Sequence, residues 1–196
     1  MSNVVIIGAG NVGGPLGRRA EQANHQVTTL TSSTDTERAS TSLAAADLVV
    51  LALPYQAALE LPGEWVDALA GKVVIDATNP LTPDFTALTV GYTTSGGEQV
   101  AEHLSSARVV KALNGVLAPN HDPATFPDGS VFVPIAGDDG DAVQITSAFV
   151  SSLGFDAVPA GPLANARYIE PLTELLIQLA YVQGVGTAIC LKLQRG

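Results

Sequence analysis

A short aliphatic run, Asn3-Val4-Val5-Ile6-Ile7, leads without a break into Gly8-Ala9-Gly10-Asn11-Val12-Gly13, and a segment of helical character follows. The glycine spacing alone is a weak signal, but between a strand and a helix it constrains the chain strongly. Gly8 permits a tight turn, Gly10 leaves the backbone open to a pyrophosphate, and Gly13 lets the helix pack close to the strand. The helix start then offers free N–H groups and the positive end of its dipole to the phosphates. A dinucleotide site that includes Asn11 and Val12 is the expectation; the alternative is a glycine-rich turn with no ligand.

Beyond this unit, short Val/Ile/Leu-rich runs alternate with helical stretches, the pattern of a parallel sheet covered on both faces. Strands are predicted near 3–7, 26–31, 47–53, 72–76, 108–112 and 131–136, with helices at 11–23, 35–45, 55–69 and 97–105. Residues 80–97, with Pro80, Pro83, Gly91, Gly96 and Gly97, read as a long loop. A further helix runs to about Leu153, one more strand covers Phe155-Asp156-Ala157-Val158, and an apolar helical stretch begins at Asn165. Pro171 inside that stretch makes the helix start later or bend. The expected architecture is an α/β, Rossmann-type doubly wound parallel sheet over residues 1–136, with a small C-terminal helical cap over 137–196.

The end of the second strand selects between NAD and NADP. NAD favours a carboxylate there, and NADP favours cations or hydroxyls around its extra phosphate. The chain reads Leu30-Thr31-Ser32-Ser33-Thr34, with Asp35 several residues late and Arg38 the nearest cation. Hydroxyls of Thr31, Ser32 and Ser33, helped by Arg38, make NADP the expected cofactor and NAD the less favoured one; capping of the next helix is the other reading. Ligands in open α/β sheets lie beyond the carboxyl ends of strands, so Leu53, Pro54, Tyr55, Asn79 and Pro80 are candidate cofactor contacts.

Composition narrows the function further. Nine cations against 19 carboxylates give a net charge of −10, which cannot build the basic patch of a nucleic-acid binder. With 46% hydrophobic residues the chain can bury a core, so disorder is excluded. Cys190, His25, His103 and His121 show no metal spacing, and no metal is expected. The longest apolar run, Leu48 to Leu53, is far short of the ~20 residues that cross a bilayer. With no signal-peptide pattern at Met1-Ser2-Asn3, a cytoplasmic protein without membrane contact is expected. No nucleophile elbow or His-activated nucleophile is visible, and His25 and His121 read as surface residues. Asp76 reads as a hydrogen-bonded structural carboxylate and Cys190 as packing.

Several segments together resemble the NADP-dependent reductases of the deazaflavin coenzyme F420, a family whose Rossmann module also occurs in membrane metalloreductases. They are Gly8 to Gly13, Val109-Val110-Lys111-Ala112-Leu113-Asn114, Pro134-Ile135-Ala136-Gly137-Asp138-Asp139, and Ala160-Gly161-Pro162-Leu163-Ala164-Asn165-Ala166-Arg167-Tyr168-Ile169-Glu170. The resemblance implies direct hydride transfer between nicotinamide C4 and the C5 position of a deazaflavin (F420) or a related flavin (FMN or FAD). It implies that Asn79, Asn114 and Gly115 line the nicotinamide side. The second cofactor would lie against Val116, Leu117 and the Gly184-Val185-Gly186 turn. The chain departs from the family in carrying Thr31-Ser32-Ser33 in place of Ser-Arg, and Asn114 where some members carry His.

Two other functions compete. A reductase of a small imine or carbonyl compound would need a proton donor, for which Tyr168 and Lys192 are the only candidates. A non-catalytic NADP sensor would use the same pocket. The apolar C-terminal helix is expected to be buried in a homodimer.

Overall fold

The computed structural model describes residues 1–121, 125–126 and 131–196. Seven strands form one sheet in the order β2-β1-β3-β4-β5-β6-β7. These are β1 Asn3–Ile7, β2 Gln26–Leu30, β3 Leu48–Leu51, β4 Val73–Asp76, β5 Arg108–Lys111, β6 Phe132–Gly137 and β7 Asp156–Pro159. The first five are mutually parallel and joined by α1 Gly13–Gln22, α2 Thr36–Ala45, the short α3 Tyr55–Leu59 and α4 Gly63–Ala68, and α5 Gly96–His103. After β6 come α6 Gly140–Ser152 and, past β7, α7 Ala166–Ile177, which ends in a π-helical turn over Gln178–Val182.

The strands bury both faces because their side chains alternate. Val4, Ile6, Val50 and Ile75 pack on one side with Leu16, Ala20 and Phe149 from α1 and α6. Val5, Ile7, Val49 and Val74 pack on the other with Leu43, Trp65 and Val100 from α2, α4 and α5. The doubly wound α/β sheet expected from the sequence is borne out. The chain returns to β1's free side only after β2, so the strand order reverses between β1 and β3, and a crevice opens beyond their carboxyl ends.

Three details differ from expectation. The helix expected over 55–69 is two helices, because Pro62 lacks the N–H needed to continue α3 and instead starts α4. β6 pairs antiparallel with β5, through Val110 opposite Gly137 and Lys111 opposite Ala136, so the sheet is not wholly parallel. α7 runs unbroken from Ala166 through Pro171.

A buried charge cluster ties the second half of the sheet to its helices. The Lys111 ammonium, fully buried, lies 2.9 Å from Asp76 and 2.9 Å from Glu170, and donates to the Thr78 carbonyl at 2.6 Å. Glu170, on α7, also accepts from Gly96 N and Gly97 N at 2.9 and 2.8 Å, which caps the start of α5. Burial alone would lower the Lys111 ammonium, but the facing carboxylates of Asp76 and Glu170 prevail and hold it above its ordinary value. One cation and the α5 N-terminus thus balance two carboxylates. Replacing Lys111 with Met should leave both carboxylates buried without a cation and cost about 3–5 kcal/mol of stability, measured by urea unfolding. An unchanged midpoint would show that the cluster does not hold the fold.

Candidate active site

The glycine loop after β1 is shaped by close contacts on two sides and open on the third. Gly8 has φ +114°, and a Cβ there would stand 2.1 Å from the Ala52 carbonyl oxygen. A Cβ on Gly13 would stand 1.9 Å from the Gly8 carbonyl oxygen, so only glycine lets α1 lie against the β1 turn. Nothing lies within 4 Å of a Cβ built on Gly10, which faces open space. α2, α5 and α6 cap their own N-termini with Asp35, Ser95 and Asp139, whereas α1, like α3 and α7, has no side-chain cap and no acid in its first turn. Gly14 N already donates to the Gly10 carbonyl at 3.1 Å and Pro15 has no N–H, so a phosphate would meet the glycine loop just ahead of the helix.

Gly10, Asn11 and Val12 form one wall of a cavity of about 870 Å³ at the carboxyl ends of the strands. Leu53, Pro54 and Tyr55 after β3, Asn79 after β4, and Asn114, Val116 and Leu117 after β5 reach the same cavity. The Asn114 amide nitrogen donates to the Thr78 carbonyl at 2.7 Å and faces the Asn79 side-chain oxygen at 3.5 Å. Its orientation is thereby fixed, since an amide oxygen in that place would face two others. The remaining atoms, Asn114 Oδ1, Asn79 Nδ2 and Thr78 Oγ1, are buried and have no hydrogen-bond partner among the described residues. Buried polar atoms are rarely left so, and the three residues that carry this acceptor, donor and hydroxyl line one cavity. That set complements a ligand carrying both a carbonyl and an N–H, such as a primary carboxamide.

The Tyr55 hydroxyl donates to the Gln99 side chain on α5. Burial, then the nearby Glu170 and Asp76 carboxylates, push its phenol above the usual range. Asp76 is fully buried and spent on Lys111 and the Thr78 N–H, so it is not free to act as a base. His121, read from the sequence as a surface residue, is instead buried at 1% exposure. A 3-10 turn over Ala118–His121 carries it into the cavity wall, where its ring lies edge-on to Phe155. Burial, and secondarily the Arg19 cation, lower its pKa to about 4, so it is neutral at pH 7.

Other candidates lie outside the cavity wall. Thr31, Ser32, Ser33 and Arg38 sit at the end of β2 and the start of α2. The Thr31 and Ser33 hydroxyls are 2.9 Å apart, and the Arg38 N–H caps onto Asp35. Pro80 packs beside Gly96, and a Cβ on Gly115 would stand 2.8 Å from the Phe132 carbonyl oxygen, so Gly115 serves chain packing. Gly184 and Gly186, at φ +71° and +92°, turn the chain after the π-helical segment without reaching the cavity. Tyr168 and Lys192, the proposed proton donors, are exposed, and neither meets it. Sequence reasoning missed Thr78, His121, Thr173, Ile177, Tyr181 and the segment Leu81–Phe85, all of which line the cavity. The expected loop over 80–97 held the one usable signal, since long ordered loops inside compact domains carry function.

Comparison with known proteins follows this geometry. The model of the family described as "NADP oxidoreductase coenzyme F420-dependent" matches residues 3–80, the segment holding the glycine loop, the β2 end and Asn79. An F420-dependent NADP reductase of Methanothermobacter marburgensis is 34% identical over 141 residues, 68% of this chain and 62% of its own length. Through residues 3–80, the chain is similar to this family. The chain thus spans less than two thirds of that relative. The rat metalloreductase STEAP3 is 32% identical over 106 residues, 54% of this chain and 21% of the relative. A crystal structure from Arthrobacter sp. FB24, described as a candidate F420-dependent NADP-reductase, superposes with a TM-score of 0.84 at 26% identity and covers all of both chains.

Two outcomes are expected of this site. Gly10→Val should keep the folded state, because its side chain meets open space, yet weaken NADPH binding by about tenfold or more, as read by fluorescence titration. Gly13→Val should instead unfold the chain, and equal behaviour of the two variants would overturn the loop assignment. For His121 the folded pKa, about 4, lies below the ordinary histidine value of 6.5. The unfolded chain therefore binds the extra proton first, and stability falls as pH drops from about 6.5 to about 4, by about 3 kcal/mol in total. His121→Gln should remove that part of the acid sensitivity in unfolding curves recorded across this range.

Proposed function

We propose that the chain is an NADP-dependent oxidoreductase that passes hydride between NADPH and a deazaflavin of the F420 type or a flavin. The carrying observation is one cavity that joins the Gly10 loop, the unsatisfied Asn79 and Asn114 amides and an apolar wall. The names of the relatives support the choice of cofactors. Fit is tested by the open space at Gly10 and the orphaned polar atoms at the strand ends, both of which suit a nicotinamide dinucleotide.

When bound, the reduced nicotinamide supplies a hydride from C4 to the acceptor ring and becomes oxidised, and solvent supplies the proton that balances the reduced acceptor. The protein's share is orientation. Asn79 and Asn114, with an unpaired amide N–H and an unpaired amide oxygen, would hold a carboxamide in one rotation, and the Gly10 loop would meet the phosphates. Thr31, Ser32 and Ser33 offer hydroxyls to a 2′-phosphate, with Arg38 close by in sequence and no carboxylate on the strand end itself. Residues 137–196 contribute α7 and its π-helical turn as the apolar side of the cavity.

Among the described residues the cavity holds no free acid–base pair. Tyr55 is a weakened acid, His121 is neutral, and Tyr168 and Lys192 are elsewhere. This favours hydride transfer between two rings over reduction of a small imine or carbonyl, which needs a proton delivered to the reacting atom. No described helix is long and apolar enough to cross a membrane. Exposed Tyr168, Leu175 and Val182 form an apolar stripe on α7 and the turn after it, which supports self-association through that helix.

Purified protein mixed with NADPH should bleach the visible band of an 8-hydroxy-5-deazaflavin, of FMN, or of both, with NADPH preferred over NADH. If neither band bleaches, the hydride-transfer reading falls. A preference for NADH would refute the role given to Thr31, Ser32 and Ser33.

A further inference from the structure

The cavity, at about 870 Å³, lies near the upper end of the ~300–1,000 Å³ usual for ligand pockets, and NADPH would enter it along the Gly10 loop with its nicotinamide end. The adenosine end would run outside it, toward Thr31 and Ser33. The strand ends supply Asn79 and Asn114, while the far wall is built from Leu81, Phe85, Ile177, Tyr181 and Val182, with Thr82 and Asp84 beside Phe85.

Two aromatic rings on this far wall stand out. Phe85 is 60% exposed and Tyr181 is 58% exposed, although both belong to the cavity lining. Exposed rings at a cavity rim leave apolar area uncovered until something flat lies on them. Each is held in place by separate means. Phe85 has φ +59°, a left-handed conformation costly for a bulky side chain. The Leu81–Leu88 hairpin fixes it there: Phe85 N donates to the Thr82 carbonyl at 2.9 Å, and the Thr82 hydroxyl donates to Asp84 at 2.6 Å. Tyr181 lies in the π-helical turn Gln178–Val182, a wider winding that recurs at functional sites. Gln178 of the same turn donates to the Thr86 carbonyl at 3.1 Å, which joins the two ring-bearing segments directly.

We propose that Phe85 and Tyr181 form an aromatic mouth that binds a flat, polycyclic heteroaromatic ligand against the nicotinamide position. The inference rests on the reading of the cavity as a hydride-transfer site and adds the two residues that select the acceptor by shape. A deazaflavin and a flavin share the required tricyclic face, and neither glycine-loop contacts nor the Asn79–Asn114 pair would be needed to hold it.

The test is direct binding in the presence of NADP+, where no turnover occurs, using FMN in one arm and an 8-hydroxy-5-deazaflavin in the other. Phe85→Ala and Tyr181→Ala should each weaken binding of the flat ligand by about three- to tenfold, and the double variant by more. Tyr181→Phe, which keeps the ring, should restore it. NADPH affinity should stay within about twofold of the wild type throughout. The arm that shows the loss identifies which tricycle the mouth prefers. Unchanged binding in the double variant overturns the proposal, as does wild-type protein that binds neither tricycle. An equal loss of NADPH affinity would also overturn it, by assigning the rings to the dinucleotide. If the flat ligand binds through these rings but NADPH bleaches neither tricycle, the mouth stands and the hydride-transfer reading fails.

Discussion

The fold turns on one buried cation. Lys111 takes the last position of β5, directly opposite Asp76 in the parallel register, and meets Glu170 from α7. No single strand or helix could place three charges together without water. The ends of β4 and β5, the start of α5 and the body of α7 have to arrive at one point, and they do so around a single ammonium. A charge left over there would be far more costly than an apolar residue, so the contact specifies the arrangement as well as stabilising it. The same cation grips the Thr78 carbonyl, which in turn orients the Asn114 amide. The geometry of the reactive cavity is therefore inherited from a charge cluster that does not itself line it.

Much of the first half was legible because its signals are local. The unbroken apolar runs Val4 to Ile7 and Leu48 to Leu51 are enough to place strands buried on both faces, and Gly8 to Gly13 fixes the first turn without reference to distant residues. The second half was harder because its decisive contacts span the chain. Lys111 lies in an apolar strand run and Glu170 in an apolar helix, and each looks misplaced until the other is seen. His121 read as a surface residue because the preceding Pro and Asn suggest a loop, whereas packing against Phe155 and Arg19 buries it. The antiparallel turn of β6 left no mark in composition, since Val131 to Ala136 would suit either direction.

The cavity itself divides along the same line. Its polar side comes from strand ends and could be listed from the sequence as Asn79 and Asn114. Its apolar side comes from a loop and a π-helical turn whose backbone shapes depend on hydrogen bonds between segments 92 residues apart. Propensity rules see neither the left-handed Phe85 nor the widened turn at Tyr181. Both become intelligible only as parts of a wall facing the strand ends.

The segment after the π-helical turn is tied back to the middle of the chain. Asn120 donates to the carbonyls of Thr187 and Ile189 at 2.9 and 2.8 Å, and Phe132 N donates to Leu191 O at 2.9 Å, so residues 187–191 are bound to the middle of the chain across nearly seventy residues of sequence. Ile189 and Leu191 thereby cover Leu117, Leu176 and Ala180, and Leu117 lines the cavity. The tail thus backs the apolar side of the cavity from behind, so a change there would reach the cavity through Leu117 without any contact of its own.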